Sequence, residues 1–495
     1  MEVLRRIHET ALASPGRAAM IYNGEPVDYA TFWRLIVRCR DQLGPQLAPP
    51  GLVVIGVENL RAAWILTLAL RSLGFDTAAV RQARQAAVFD PAEVTAFVSL
   101  ASTPLAGFEP PPGTPWLQLE DPASAFQDHG GPLPPLPEVK KAGGHILLTS
   151  GTTGEAKRVR RPGTAAGGPT ADMLAQRAQL SGGPGAKAAE AVVNVWDLGL
   201  WTAMGYSRPL VAWLEGATVV LCQDPDPAKV FQTPGITHTM ATPWHVTRLL
   251  AQPEDAFAPQ PQMQLDVNGG ALTPSQAREI RRRLTPNLMI TLGSTETGLW
   301  ARTQVATDED LHWYALIPER VVQVVDDSGE PVPDGTLGRL RVRPRDTDAR
   351  GYQGAADASA AHFQGDWFYP GDLAMLDGKG RIALLGRETD VVNVEGVKYP
   401  AAPWERALQD HLGCEGVCVL SGRWTDDIER LHVFIESRGV VTRAALEEAF
   451  RSVLWGFRDV QAHRVEALPR TPTGKVRRVD LARQLHAGAF PASPA

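Results

Sequence analysis

The residues best equipped to do chemistry begin at Thr149. The run Thr149-Ser150-Gly151-Thr152-Thr153-Gly154-Glu155-Ala156-Lys157-Arg158 follows the apolar pair Leu147-Leu148. Glycines let a backbone approach a ligand closely and turn successive N–H groups toward it. Serine and threonine add hydroxyl donors of little bulk, and two cations close the segment. That combination suits phosphate oxygens. A flexible surface turn is the plainer reading of the segment alone. It is not a Walker A loop, in which Gly-Lys is followed directly by Ser or Thr. A second candidate lies farther along. The apolar run from Leu288 to Leu292 reads as a strand, and Glu296 falls just past its end. Open α/β sheets bind ligands outside the carboxyl ends of their strands.

Three further blocks follow the loop. They are Leu292-Gly293-Ser294-Thr295-Glu296-Thr297-Gly298, then Tyr369-Pro370-Gly371-Asp372-Leu373 with Gly386-Arg387, then Pro469-Arg470-Thr471-Pro472-Thr473-Gly474-Lys475. In this order they resemble the adenylate-forming (ANL) superfamily of acyl-CoA synthetases, carrier-protein-loading adenylation enzymes and luciferases. The family loop, S/T-S-G-T-T-G-x-x-K, is reproduced from Thr149 to Lys157. Each block alone is a weak signal, and four in family order are a strong one.

The resemblance implies a reaction. A carboxylate is a poor electrophile, and transfer of AMP onto it makes a mixed anhydride with a good leaving group. The step needs the α-phosphate held, the pyrophosphate charge neutralised and the acid oxygen aligned in-line. By resemblance, Thr149, Ser150, Gly151, Thr152, Thr153 and Gly154 would hold the β- and γ-phosphates of ATP, with Lys157 adding charge. Thr295 would hydrogen-bond the α-phosphate. Glu296 would ligate Mg²⁺, a hard ion that takes few oxygens from protein. A carboxylate complementing a helix start is the alternative for Glu296. Gly270, Ala271, Leu292, Gly293 and Ser294 fall in the implied nucleotide-binding set. Asp372 would accept the paired ribose hydroxyls, and Arg387 would approach ribose or phosphate from the domain boundary. Lys475 would bridge the carboxylate and the α-phosphate. Gly396 matches the family glycine beside which pantetheine passes.

The chain departs from the family pattern in four places. Leu292 stands where an aromatic residue usually stacks on adenine. Thr389 takes the hinge position that is commonly Asp or Lys. Val195-Trp196-Asp197-Leu198-Gly199 replaces a segment that often carries a histidine or aromatic at the acyl pocket. Arg158 replaces the usual glycine after the loop lysine.

Several elements must position these residues. Asn23-Gly24, flanked by Ala18–Tyr22 and Pro26–Tyr29, signals a hairpin. A helix is expected to run to Leu43, capped by Thr31. Leu52–Val57 reads as a buried strand, and Ala62–Leu73 as a helix stopped by Gly74. Strands alternating with helices predict an α/β fold. Residues 103–137 and 160–188 read as loops. Past Arg381–Leu385, a strand, the pattern changes to a compact α+β unit: strands at 416–421, 431–436 and 462–467, and a helix at 443–454. The expected organisation is a large N-terminal adenylation domain, 1–386, of doubly wound sheets plus a β-barrel-like part, and a mobile α+β C-terminal domain, 387–495.

With 495 residues, 44% hydrophobic and 21% charged, the chain has the composition of a soluble globular protein of two or more domains. Its net charge of -6 gives no basic footprint for nucleic acid. Arg281-Arg282-Arg283 beside Glu279 reads as a solvated helix face. No apolar run is long enough to span a membrane, and the N-terminus has no apolar h-region of a secretory signal. Cys39, Cys222, Cys414 and Cys418 read as buried thiols and not as a metal half-site, which fits a reducing cytoplasm.

The expected function is ATP-dependent activation of a small-molecule carboxylic acid as acyl-AMP, followed by transfer to CoA. Delivery to the phosphopantetheine thiol of an acyl or peptidyl carrier protein, or to an amine, is the alternative. Trp196, Trp201 and Trp244 are candidates for flat apolar walls around an aromatic or compact hydrophobic acid, and core packing is their competing role. A homodimer is left open.

Overall fold

In the computed structural model, the described residues are 1–102, 107, 110, 112–121, 131–149, 156–161, 188–223, 226–394, 397–423, 429–454, 460–471, 474–487 and 489–490. Ser150–Gly154 and Gly396 of the expected site lie outside them, as do residues 162–187 and Pro472-Thr473.

Two largely parallel sheets carry the large N-terminal part. Among the described residues, the first has eight strands. In spatial order they are Gly298–Gln304, Asn287–Ser294, Gln264–Asn268, His238–Ala241, Val192–Asn194, Thr218–Leu221, Ala18–Tyr22 and Glu25–Asp28. The second has six: Trp116–Leu119, Val94–Leu100, Leu52–Gly56, Asp76–Ala79, His145–Leu148 and Arg158–Arg161. Leu52–Gly56 is buried along its whole length, as its unbroken apolar run requires of a central parallel strand. The helices Tyr29–Leu43, Leu60–Leu73 and Ala203–Leu214 share one core with strands of both sheets, so they form the layer between them. Trp33, Trp64 and Trp213 fill that layer.

Local signals set the helix ends. Asn59 accepts a hydrogen bond from the Ala62 N–H, and Gly74 ends the same helix at φ 100. The first long helix begins earlier than expected. Asp28, not Thr31, is its cap, accepting from the Thr31 N–H at 2.7 Å. A carboxylate at the start of the helix faces its exposed N–H groups, and Thr31 supplies one of them.

Residues 314–387 add an antiparallel sheet of seven strands among the described residues, ending in the hairpin Asp372–Leu376 and Arg381–Arg387. A smaller α+β unit follows. The hairpin Val391–Val394 and Val397–Pro400 leads into the helix Ala401–Leu412. The strands Gly416–Arg423, Glu429–Glu436 and Val460–Val465 then form one sheet, flanked by the helices Arg443–Val453 and Arg478–His486. Cys414 and Cys418 are buried in this unit, and burial pushes both thiols up to about 12. No helix among the described residues is long and apolar enough to cross a membrane.

The topology places the chemistry at strand ends. The hydroxyl-rich loop joins His145–Leu148 to the antiparallel Arg158–Arg161, and Glu296 follows the parallel strand Asn287–Ser294. Gly270 and Ala271 follow the C-terminal end of Gln264–Asn268.

Candidate active site

Asp372 and Arg387 face each other because their strands are paired in that register. Gly371, at φ 79, turns the chain into the first strand, and the Glu388 N–H donates to the Gly371 carbonyl at 2.9 Å. Arg387 Nε lies 3.0 Å from Asp372 Oδ1, and its Nη1 donates to the Pro370 carbonyl at 2.5 Å. Burial raises the Asp372 carboxyl to about 6, against the pull of Arg387 and Lys475.

Glu296 is buried at the end of a tightly braced turn. A Cβ on Gly293 would lie 2.3 Å from the Gly298 carbonyl oxygen, so only glycine lets the two strands close so near the turn. Ser294 Oγ and Trp300 Nε1 both bond Thr297 Oγ1, at 3.1 and 2.7 Å. Beneath the turn, Arg320 donates to the Thr297 carbonyl and, at 3.0 Å, to the Leu299 carbonyl. Its guanidinium pairs with Asp348 at 2.5 Å in full burial. Tyr352 donates its phenol to Glu296 Oε1 at 2.9 Å. Burial and then the Glu296 charge push that phenol up, so it stays a donor. Thr295 and Leu292 are half-buried, and Leu292 packs against the core through its aliphatic side chain.

The ends of the hydroxyl-rich loop are clamped together. Thr149 N–H donates to the Lys157 carbonyl at 2.9 Å, and Lys157 N–H donates to Thr149 Oγ1 at 3.2 Å. The Lys157 ammonium sits over the Tyr352 ring, 4.8 Å from its centroid, and 2.7 Å from His362 Nε2. Burial lowers the Lys157 ammonium, Glu296 acts to raise it, and Arg387 to lower it.

Lys475 comes from the small C-terminal unit. Its loop is a tight hairpin: Thr471 N–H donates to the Lys475 carbonyl at 2.8 Å, and Lys475 N–H to Thr471 Oγ1 at 3.1 Å. The loop rests on the large domain at Trp244. A Cβ on Gly474, which has φ 85, would fall 2.3 Å from Trp244 Cβ. Arg470 lies over the Trp244 ring at 4.9 Å and pairs with Glu436 at 2.7 Å. A second tie across the two units is the Ser275 N–H, which donates to Asp410 at 2.8 Å. Seated this way, the Lys475 ammonium lies within electrostatic reach of Arg387, Asp372 and Glu296. Burial and Arg387 lower its ammonium while Asp372, Glu296 and Asp390 oppose them. Lys157, Glu296, Asp372 with Arg387, and Lys475, one or two groups from each of four sequence blocks, therefore lie within electrostatic reach of one another.

The three tryptophans do not form one wall. Trp196 is buried in the core of the first sheet, stacked on His245 at 4.6 Å and edge-on to Phe231 at 5.8 Å. Trp201 belongs to the other core and covers Gly199 with its ring, with Arg81 above it at 5.4 Å. Trp244 is the seat of the Lys475 hairpin. Tyr352, His362, Arg320 and Asp348 had no motif to mark them; each enters the site through contacts with residues at least 20 positions away.

A nucleotide-dependent ligase is the class that this fold and this convergence of groups describe. The chain belongs to the AMP-binding enzyme family, which it matches over residues 7–353. This is the adenylate-forming superfamily that the four blocks resemble. Among its curated relatives is the salicyl-AMP ligase / salicyl-S-ArCP synthetase of Mycobacterium tuberculosis. The two are 29% identical over 411 residues, covering 76% of this chain and 66% of the relative. The indoleacetate–CoA ligase of Aromatoleum aromaticum is 27% identical, covering 80% of this chain and 77% of the relative. Several other matches are partial: the chain spans about half the length of a salicylyl-CoA synthase from Streptomyces and of a mouse acyl-coenzyme A synthetase. The fold is that of the anthranilate CoA ligase AuaEII, solved with anthranoyl-AMP, at a TM-score of 0.81 and 15% identity, covering 99% of this chain and 98% of that one.

Proposed function

We propose that this protein uses ATP to convert a carboxylic acid into its acyl-adenylate, releasing pyrophosphate, and then passes the acyl group to the thiol of CoA. The observation that carries the reading is the meeting of Lys475, Asp372, Arg387 and Glu296 from separate blocks. A carboxylate oxygen of the acid attacks the α-phosphorus and the bond to the pyrophosphate oxygen breaks. Lys475, a mobile point charge on a long stem, supplies positive potential where the two anions are forced together. Asp372 accepts from the ribose hydroxyls, held for that task by Arg387. Thr295 and the loop Thr149–Gly154 with Lys157 hold the phosphates.

The donor set at Glu296 fits Mg²⁺. It is one buried carboxylate braced by Tyr352, and among the described residues no group of three His, Cys, Asp or Glu surrounds it. Magnesium keeps water and phosphate oxygens and draws few ligands from protein. When bound, it would neutralise phosphate charge.

The curated relatives named for salicylate and indoleacetate support an aromatic or compact hydrophobic acid as substrate. Trp196, Trp201 and Trp244 are the tryptophans to test for it. The same relatives support two acceptors, since one is named as an S-ArCP synthetase and the other as a CoA ligase. The deciding experiment screens carboxylic acids for pyrophosphate release, with CoA alone and with a phosphopantetheinylated carrier protein alone. Thioester formation with free CoA supports the first acceptor. Absence of acid-dependent ATP–pyrophosphate exchange across the screen overturns the whole reading.

A further inference from the structure

His362 stands outside every motif, yet it joins two of them. It is the last residue of the helix Ala356–His362, and the chain returns beside it at Tyr369. Tyr369 N–H donates to the His362 carbonyl at 2.7 Å, and His362 Nδ1 lies 2.8 Å from the Tyr369 carbonyl oxygen. A carbonyl only accepts, so Nδ1 carries the hydrogen. In the neutral ring Nε2 then holds a lone pair, and the Lys157 ammonium donates to it at 2.7 Å. The imidazole is thus bolted to the segment that leads into Asp372 and reaches the residue that closes the hydroxyl-rich loop. The Tyr352 ring lies beneath the ammonium, and the Tyr352 phenol bonds Glu296.

The geometry points to His362 as the positioning residue of Lys157. It fixes where the loop cation stands relative to Glu296 and so sets the affinity for the polyphosphate of ATP. This rests on the reading of the protein as an ATP-dependent ligase. An ammonium on a four-carbon stem loses much rotamer freedom when it is held. One fixed acceptor confines it before the nucleotide arrives. The remaining two N–H groups stay available to phosphate oxygens. A lysine without that acceptor would sample many positions and meet the phosphates at a lower effective charge.

Two amide replacements separate positioning from packing. In His362→Asn the side-chain nitrogen reaches about where Nδ1 stands, so the bond to Tyr369 is kept and the Lys157 acceptor is lost. In His362→Gln the longer chain puts an oxygen about where Nε2 stands, so the acceptor is kept. ATP binding is measured by calorimetry on the full chain, alongside KM for ATP and kcat in pyrophosphate exchange. A hydrogen bond to a charged group is typically worth about a tenfold change in affinity. His362→Asn is expected to weaken ATP binding and raise KM about tenfold, with a much smaller change in kcat. His362→Gln should stay within about threefold of the native protein. In a Lys157→Met background, His362→Asn should add nothing further. Equal effects of Asn and Gln, or additive effects of the two mutations, overturn the inference while leaving the ligase reading standing. A native protein that neither binds ATP nor exchanges pyrophosphate overturns both.

Discussion

Asp372→Asn should make the nucleotide-free protein more stable while ruining its affinity for nucleotide. Burial raises the Asp372 carboxyl from 3.8 to about 6, even with Arg387 at 3.0 Å and Lys475 nearby. The ionised form is therefore disfavoured in the folded state relative to the unfolded chain. About two pH units correspond to about 3 kcal/mol. Because the folded value lies above the unfolded one, the folded state binds more protons between about pH 4 and 6, and stability falls as pH rises through that window. Above it the penalty is complete. Asparagine mimics the protonated acid and does not ionise. The stability gain of the variant should be near zero at pH 4 and reach about 3 kcal/mol by pH 7. Spread over the unfolding entropy of a chain this long, that is about 3 °C in Tm. The same change replaces a charged acceptor of two ribose hydroxyls with a neutral amide, so ATP affinity should fall about a hundredfold or more. Denaturant unfolding of both proteins between pH 4 and 7.5, with ATP titrations at pH 7.5, measures each part. A stability difference independent of pH, or a variant less stable at pH 7, would refute the argument: the Arg387 pair would then outweigh the burial of the charge.

Buried histidines act in the opposite sense. Burial lowers His145 to about 3 and His245 to about 4, so both stay neutral in the fold while the unfolded chain takes up protons below about 6.5. The stability they preserve is present above pH 6.5 and is lost as pH falls. Burial also lowers His432, to about 4, which adds in the same direction. From 6.5 to 5 the loss should exceed the gain at Asp372 by at least about 2 kcal/mol, read as a lower urea midpoint. Gly474→Ala should cut pyrophosphate exchange at least tenfold, since its Cβ has no room against Trp244 and φ 85 disfavours alanine; thioester formation from supplied acyl-adenylate should survive, and equal loss of both would show that the Trp244 seat serves more than adenylation. Thr389→Pro, just after Arg387, should impair thioester formation more than pyrophosphate exchange if the domain pivot lies there, because proline fixes φ and removes an N–H; two native rates would place the pivot elsewhere.

Local placement was legible in residue types and spacing: the block around Glu296 follows a strand, as expected. That Asp372 and Arg387 are cross-strand partners in one hairpin was visible only in the fold. The strands and helix expected between 416 and 467 all form, within a few residues of their expected bounds. The legible features depend on backbone periodicity, turn residues and caps, which are local. The misplaced cap at residue 31 shows the limit even there: Asp28 and Thr31 are both good caps by type, and the helix starts on Asp28, with Thr31 supplying the N–H that its carboxylate accepts. The tryptophans show the limit more plainly. All three are large and apolar, and type alone does not say which core each will enter. Trp196 lies in a core of the first sheet, Trp201 in the core shared by both sheets, and Trp244 meets Gly474 from the other unit.

By itself, the sequence supplied the groups from which a site is proposed: the hydroxyl-rich loop, the carboxylates of Glu296 and Asp372, Arg387 and Lys475. The tertiary structure decided how those groups act on one another. Lys475 shares a field with Asp372 and Arg387 because a glycine hairpin fits against Trp244, and Lys157 is aimed because His362 happens to be fixed beside it. Such contacts join residues roughly one to two hundred positions apart. They arise when whole faces pack to exclude water, and no local pattern encodes which faces will meet.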